Sequence, residues 1–399
     1  MRHVSSSRAS PDAPPPAGRR PMLDPRPFGA RRPHREAGNW AVRLVSSIVA
    51  TLVVCATPAG TQSGDPLLRV SFIDVGQGDA IWIKGPDRDD GTPGGNIIID
   101  GGPDRGNRNR VIKYLQAKTY GLASGAVIDC IVATHPHDDH YPGLLDVLAQ
   151  YQVAQIVDSG YPKERTTPTG QPSQFELFRQ AALKERVEGR SSSFIELRRS
   201  TDRQLMCGNL QARIIHADSQ DLKDMGSGNT RENNASTVIQ LKFGAFTFLF
   251  MGDAEGKERA DSADDTRFVE RLLLERAKRE PDLLRADVLK VGHHGSETGS
   301  TLEFIRAVRP EVIVIMSGRK PFSGTFLPDR SVLDRYRREN SKLVVLRTDE
   351  GDGRERRDTT DDQDGDDVYM YTDGESLRAF RAVGPTGRKR WLRVTTIQK

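Results

Sequence analysis

The sequence lacks the features that mark several protein classes. Its 399 residues contain three cysteines, Cys55, Cys130 and Cys207, and no CxxC pair, which argues against a thiolate zinc site and against a disulfide framework. The formal net charge is only +4, and a balance this even does not by itself indicate a nucleic-acid partner. Beyond one run near the N-terminus, no apolar segment is long enough to span a bilayer, so we expect no multi-span membrane domain.

Residues 1–61 have the composition of a targeting segment. Residues 1–43 are basic and rich in proline, arginine and serine, and we expect them to be disordered. Residues 44–61 contain a short apolar run followed by small residues, which is typical of a signal-peptide core; the alternative is an N-terminal anchor that is retained. Both interpretations make the folded part secreted, periplasmic or attached to the cell envelope.

From residue 66 onward, the apolar pattern predicts strands and helices in two similar halves. The run at 126–135 is almost continuously apolar, as in a strand covered on both faces, whereas 109–121 has helical spacing. This order predicts an α/β (α+β) fold in which two sheets lie between helices. We expect one domain over 66–345, followed at 346–399 by strands, an acidic loop and a basic tail.

The stretch THPHDDH at 134–140 predicts a metal site. His135, His137, Asp139 and His140 follow a buried strand, and a turn at a strand end lets such side chains converge. Imidazole and carboxylate are good ligands for zinc and also suit manganese. Packing alone does not explain these residues, because burying them without partners costs free energy.

Two further motifs offer ligands for a second metal. Asp253 directly follows a buried strand, and His293 and His294 follow another. The residues leave open which of the two histidines binds. His216 also lies at a strand end and is interpreted as structural.

These motifs carry a resemblance to a known family. HPHDDH resembles the HxHxDH signature of the metallo-β-lactamase superfamily. More closely, an ordered series of motifs resembles the hydrolase domain of ComEC-type competence proteins: DVGQGDA (74–80), IDGG (99–102), THPHDDHYPG (134–143), NNASTVIQL (233–241), FLFMGDAE (248–255) and ADVLKVGHHGS (286–296).

The resemblance implies an αβ/βα four-layer sandwich with two divalent metal ions, Zn²⁺ or alternatively Mn²⁺, at one edge. It implies a metal-activated water as the nucleophile, with Asp139 as the catalytic group that orients it or takes its proton. The implied ligands are His135 and His137 for one ion, Asp139 and His140 for the other, Asp253 as the bridge, and His293 or His294 to complete the second site.

Other residues are candidates for supporting roles. Asp74 and Asp100 follow strands near the site and could orient the ligating histidines, although turn capping is an equal alternative. Asn233 or Asn234 stands where many superfamily members have a histidine, and either could line the site. Ser296, with Thr298 and Lys290, could contact a phosphate.

The resemblance favours a phosphodiester substrate, either nucleic acid, possibly DNA, or a phosphocholine-type group. One departure is Leu327-Pro328, where relatives often carry His-Pro, and it removes a candidate substrate-facing histidine. No aromatic-rich basic stripe accompanies the motifs, so we expect no dedicated nucleic-acid-binding module. Two alternatives stay open: a β-lactamase or esterase-type hydrolase, and a non-catalytic metal-binding module of the envelope. The sequence does not indicate an oligomeric state.

Overall fold

The computed structural model describes residues 65–117, 121–122, 125–198, 202–217, 223–318, 321, 324–350, 366–383 and 390–399. The predicted disordered region and the predicted signal-peptide core lie outside the described residues, as do most of the acidic loop and part of the basic tail. Among the described residues, no helix combines the length and the apolar character needed to cross a membrane.

Sixteen strands in the described chain form two sheets. They are β1 (Leu68–Phe72), β2 (Ile81–Lys84), β3 (Asn96–Ile99), β4 (Val127–Ala133), β5 (Gln152–Asp158), β6 (Ser193–Glu196), β7 (Arg203–Cys207), β8 (Leu210–His216), β9 (Val238–Phe243), β10 (Phe246–Phe250), β11 (Val288–Lys290), β12 (Val312–Ile315), β13 (Val344–Arg347), β14 (Val368–Thr372), β15 (Ser376–Val383) and β16 (Arg390–Gln398). The first sheet has the order β16-β15-β14-β1-β2-β3-β4-β5-β6, and the second has the order β13-β12-β11-β10-β9-β8-β7.

Each sheet contains a parallel segment that leads to the histidine motifs. Strands β3 to β6 are mutually parallel, as are β10 to β13. The carboxyl ends of parallel strands meet at one edge of a sheet, and loops at that edge can converge on a common point. The turns after β4, β10 and β11 carry the predicted metal ligands.

Helices pack on part of the outer face of each sheet. They are α1 (Arg110–Leu115), α2 (Leu144–Gln150), α3 (Gln174–Val187), α4 (Asn229–Asn233), α5 (Phe268–Ala277), α6 (Leu302–Val308) and α7 (Arg330–Glu339). The apolar residues of α1 to α3 pack on the first sheet, and those of α5 to α7 pack on the second. A third cluster, which includes Phe72 and Phe250, fills the space between the sheets. The predicted α/β class with two sheets between helices is confirmed.

A disulfide joins the two sheets, contrary to the sequence-based expectation. Cys130 of β4 is bonded to Cys207 of β7, and both residues are fully buried. The absence of a CxxC pair was a poor guide, because these partners are 77 positions apart and meet only when the sheets stack. Strands β6 and β7 lie in a charged stretch in which sequence patterning showed no strands.

The C-terminal strands extend the first sheet. Strand β14 pairs with β1 in antiparallel register, and β15 and β16 add to its outer side. The strands predicted within 346–399 are therefore continuous with the sheet that carries β4 and its histidine turn.

Candidate metal centre

Four loops bring imidazoles and carboxylates together at the sheet edges. The turn after β4 supplies His135 to His140, the turn after β10 supplies Asp253, and a 3-10 turn at Gly292–Gly295 after β11 supplies His294. The loop between β1 and β2 adds Asp79, which is buried. The predicted convergence of separate chain segments is present in the structure.

The carboxylate of Asp253 lies at the centre of the cluster. Its Oδ2 atom is 3.7 Å from Nε2 of His135, 3.3 Å from Nε2 of His140 and 3.2 Å from Nε2 of His294. These three imidazoles are almost completely buried. One carboxylate oxygen that faces three imidazole nitrogens is the arrangement expected of a residue shared between two cations.

Hydrogen bonds on the opposite side of the rings fix which nitrogen faces the cluster. The Nδ1 atom of His140 is 2.8 Å from Oδ2 of Asp100, and Nδ1 of His294 is 2.7 Å from the Met316 carbonyl oxygen. Because each Nδ1 donates its proton outward, the Nε2 of a neutral ring presents its lone pair inward, where a cation can bind. Within the described chain, Nε2 of His135, His140 and His294 makes no hydrogen bond.

The charge balance of the cluster also suits cations. Burial lowers the pKa of His140 and of His294, but the Asp253 carboxylate and the other carboxylates beside each ring together outweigh it and raise both pKa values well above the ordinary value. For His135, in contrast, burial lowers the pKa well below the ordinary value of an imidazole. Burial raises the pKa of Asp253, but His294 and His140 outweigh this and hold it well below its usual range. The carboxylates of the cluster thus favour positive charge at this position, as a bound cation would supply it.

Asp79 is the cluster residue that sequence reasoning did not assign as a ligand. Its Oδ1 is 3.4 Å from Nδ1 of His294, and its other oxygen forms an ion pair with Lys290. Burial raises the pKa of Asp79, but Lys290 together with His294 and His140 outweighs it and lowers the pKa below the ordinary value. Lys290 is itself buried and donates to the Gly252 carbonyl oxygen at 2.8 Å, so it does not face a substrate phosphate as proposed from the sequence.

A glycine in the DVGQGDA motif allows the loop of Asp79 to reach the histidine turn. Gly78 has φ of +136°, and a Cβ there would lie 2.1 Å from the backbone oxygen of Asp139. The backbone N–H of Asp79 donates to that same oxygen at 3.2 Å. A side chain at position 78 would therefore separate the two loops. The glycines around Asp79 were the sequence signal for this close approach.

Asp139 lies at the open side of the cluster. Its Oδ2 is 3.3 Å from Nε2 of His294, and its side chain is 26% exposed, whereas Asp253 is buried. Burial raises the pKa of Asp139, but His140 and His294 outweigh it and hold the pKa far below the usual range. This carboxylate is ionised and accessible, as its predicted catalytic role requires.

The structure separates His293 from His294. Nδ1 of His293 is 2.8 Å from Oε1 of Glu255 and 2.9 Å from the Thr298 hydroxyl, and Nε2 is 3.4 Å from the Asn233 amide nitrogen. His293 thus lies outside the candidate ligand groups, whereas His294 lies inside. Both residues have left-handed backbone, with φ of 45° and 51°, and this strain directs the two rings to different places.

His137 is the most accessible histidine of the turn. Its Nε2 lies 3.1 Å from Oε2 of Glu232, which also forms an ion pair with Lys163. Sequence reasoning did not identify Glu232, which lies on the short helix α4 in a stretch without a clear pattern.

The remaining candidates divide between the site and its surroundings. Asp100 contacts His140 as predicted, whereas Asp74 accepts from the backbone N–H groups of Gly76 and Asp366 and so organises a loop. Asn234 is bonded to the backbone of Met225 and Glu255.

A cleft of about 270 Å³ opens beside the cluster. Asn233, Ser296 and Leu327 line it, together with His137, Asp139 and His294. Arg259 reaches the same cleft, where its guanidinium donates to Ser296 Oγ at 3.3 Å and to Asp329 at 2.8 Å.

Ligand atoms close enough to share one cation form two groups. One group contains His135, His137 and Asp253. The other contains Asp79, His140, Asp253 and His294. The described residues therefore fit two divalent cations that share Asp253.

Comparison with known proteins agrees with this geometry. Residues 73–211 match the model of the metallo-beta-lactamase superfamily, a span that includes the turn of His135 to His140 but ends before Asp253. Over 332 residues the chain is 25% identical to ComE operon protein 3 of Bacillus subtilis (strain 168), an alignment that covers 77% of this chain and 36% of the relative. The chain is ComEC-like and has the metallo-β-lactamase fold.

A second curated relative gives a similar result. Recombination protein 2 of Haemophilus influenzae is 25% identical over 285 residues, which cover 71% of this ComEC-like chain and 28% of the relative. The chain spans about a third of the length of the curated relatives it matches.

One match among solved structures is a metal-dependent hydrolase of the beta-lactamase superfamily. It has a TM-score of 0.37 and 10% identity, and the match covers 71% of this chain and 96% of that one. Another is an archaeal metallo-beta-lactamase superfamily protein from Sulfolobus tokodaii. It has a TM-score of 0.30 and 19% identity, and the match covers 60% of this chain and 84% of that one. At these TM-scores the superpositions are too loose for comparison of individual residues.

Proposed function

We propose that this ComEC-like protein is a metal-dependent hydrolase that uses two divalent cations, Zn²⁺ in the first instance and Mn²⁺ as the alternative, to cleave a phosphodiester. The observation that carries the proposal is the convergence of three imidazole Nε2 atoms, none hydrogen-bonded in the described chain, on the Asp253 carboxylate. A packing role does not explain them, because buried polar atoms in proteins are almost always paired.

Each residue of the cluster has a distinct part in the proposed reaction. Two cations at such a site lower the pKa of water and neutralise charge that develops on the substrate. Asp139 is the accessible carboxylate, and it orients the attacking water and accepts its proton. Asp100 holds the ring of His140 in one tautomer, and Lys290 offsets part of the negative charge of Asp79 and Asp253.

The cleft supports a phosphodiester over a bulky apolar substrate. Polar side chains line it, including the Asn233 amide, the Ser296 hydroxyl and the Arg259 guanidinium, which carry N–H or O–H groups that can donate hydrogen bonds. Phosphate oxygens are good acceptors for such donors. No tyrosine, tryptophan or phenylalanine lines this cleft among the described residues, and a phosphocholine group is usually bound in an aromatic cage. The cleft therefore favours nucleic acid over a phosphocholine-type substrate.

Hydrolysis of two chromogenic substrates tests the proposal. We expect turnover of bis(p-nitrophenyl) phosphate, loss of turnover with a chelator, and recovery on addition of Zn²⁺ or Mn²⁺; nitrocefin should not be hydrolysed. Asp253→Asn should abolish the activity, whereas Asp334→Asn, which makes the same change on the exposed face of α7, should not.

Other outcomes of this assay identify the alternatives. Hydrolysis of nitrocefin alone indicates a β-lactamase. Binding of metal without turnover of either substrate indicates a non-catalytic metal-binding module of the envelope.

We propose that the protein works outside the cytoplasm, either secreted or attached to the envelope through its N-terminal segment. The disulfide between Cys130 and Cys207 supports this location, because disulfides persist in oxidising compartments. Thiol labelling of the protein from cell fractions should find these two cysteines oxidised and the protein outside the cytoplasm. Recovery of reduced protein from the cytoplasm contradicts the proposal.

A further inference from the structure

One face of the C-terminal strands carries aromatic rings and guanidinium groups that are partly or fully exposed to solvent. Helices α1 to α3 pack on the same sheet elsewhere, and no described helix packs on this outer face of β14, β15 and β16. We call it the aromatic–cationic face. Its residues are Arg69 of β1, Tyr369 and Tyr371 of β14, Arg378 and Phe380 of β15, and Trp391 and Arg393 of β16.

Strand register arranges these residues in rows across the sheet. Tyr371 pairs with Arg69 on one side and with Arg378 on the other. In the adjacent row, Phe380 lies between Tyr369 and Arg393. Paired residues in a sheet project from the same face, so the rows place aromatic rings directly beside cations.

The rings form one continuous surface. The ring centroid of Tyr369 lies 6.0 Å from that of Tyr371, 6.1 Å from that of Phe380 and 5.6 Å from that of Trp391. Trp391 is 38% exposed, and Tyr369, Tyr371 and Phe380 are each partly exposed. Monomeric proteins usually bury large aromatic residues, so a contiguous exposed group indicates a binding surface.

The cations are held in place by the rings. Arg69 donates to the Tyr369 hydroxyl at 2.9 Å, and Arg378 donates to the Tyr371 hydroxyl at 3.0 Å. The Arg378 guanidinium also lies 5.7 Å from the centre of the Tyr371 ring. A phenol hydroxyl does not neutralise the charge of Arg378, which therefore stays available to an anion, whereas Arg69 also pairs with Asp65.

Cations outnumber acids on this surface. Arg69 pairs with Asp65 and Lys84 pairs with Asp87, and both pairs lie beside a groove of about 390 Å³ that Tyr369 and Trp391 also line. Arg378 and Arg393 are exposed; the charge of Asp373 acts on Arg378, but the described chain shows no ion pair between the two. In the sequence, Arg388, Lys389 and Arg390 directly precede Trp391.

We propose that the aromatic–cationic face binds single-stranded nucleic acid, with bases stacked on the rings and phosphates at the arginines. Aromatic side chains stack on any unpaired base, and nearby cations follow the backbone without reading its sequence. Aromatic surfaces also bind sugars, but an uncharged glycan has no use for the cations. This site is separate from the metal cluster and does not depend on its hydrolytic activity.

Fluorescence anisotropy with a labelled thymidine oligomer of about 20 nucleotides tests the proposal. Full-length protein in the Asp253→Asn background removes turnover from the measurement. We expect Trp391→Ala or Tyr369→Ala to weaken binding by about tenfold, because stacking on one ring contributes about that much per base. Arg378→Gln with Arg393→Gln should reduce the slope of log affinity against log salt by about 1.4, since each phosphate contact on a single strand contributes about 0.7.

The matched control makes the same charge change on α7. Arg337→Gln with Arg338→Gln replaces two exposed arginines on the other sheet's helices and should leave both affinity and salt slope unchanged. Circular dichroism establishes whether each variant is folded. If an aromatic variant does not fold, the variant of the exposed arginine pair still tests the aromatic–cationic face. Equal affinity in face and control variants overturns the proposal. Binding of inorganic polyphosphate as tight as that of the oligomer, or comparable binding of an uncharged oligosaccharide, also overturns it.

Discussion

Removal of the disulfide between Cys130 and Cys207 should destabilise the fold by a calculable amount. The bond closes a loop of 77 residues and joins β4 of one sheet to β7 of the other. In the chain-entropy model, a loop of this length lowers the entropy of the unfolded chain by about 15 cal/mol/K, or about 4.5 kcal/mol at 25 °C. We expect Cys130→Ala with Cys207→Ala to lower the free energy of unfolding by about 4 kcal/mol.

Urea unfolding followed by tryptophan fluorescence measures this difference. Comparison of oxidised wild-type protein with reduced wild-type protein separates the crosslink from the lost sulfur volume, because reduction retains both side chains. A double variant within about 1 kcal/mol of wild type would refute the account, because the long loop would then contribute no unfolded-state entropy.

Three further predictions concern the metal cluster. His294→Ala should lose bound Zn²⁺ measured by mass spectrometry, whereas His293→Ala should retain it, because only the first ring faces Asp253; equal loss contradicts the placement. Asp100→Asn should weaken Zn²⁺ affinity about 10- to 100-fold in a competition assay, since asparagine tolerates the left-handed backbone there; unchanged affinity argues against its orienting role. Lys290→Met should cost about 3–5 kcal/mol in metal-free protein and less with Zn²⁺ bound, which urea unfolding measures; equal costs contradict shared charge compensation.

Motif order predicted much of the site because its residues lie next to strong strand signals. The turn after β4 and the turn after β10 follow nearly continuous apolar runs, so the positions of His135, His140 and Asp253 could be expected at strand ends. The partner of His140 was also accessible, since Asp100 ends β3 beside β4.

Other features depended on tertiary contacts that periodicity does not encode. The choice between His293 and His294 rests on two consecutive left-handed residues, which spacing does not reveal. Asp79 enters the cluster only because Gly78 lets its loop contact the histidine turn. The pairing of Cys130 with Cys207 and the exposed rings of β14 to β16 depend on how the sheets stack and which strands they join. Composition did not indicate the aromatic–cationic face, because its rings and arginines form rows only when β14, β15 and β16 pair.

The metal content of the purified protein tests the central claim most directly. Elemental mass spectrometry of wild-type protein after dialysis against Zn²⁺ should find two equivalents per chain, and Asp253→Ala should reduce this number because that carboxylate belongs to both ligand groups. A wild-type protein that binds no divalent metal, or an Asp253→Ala variant that keeps both equivalents, would contradict the account.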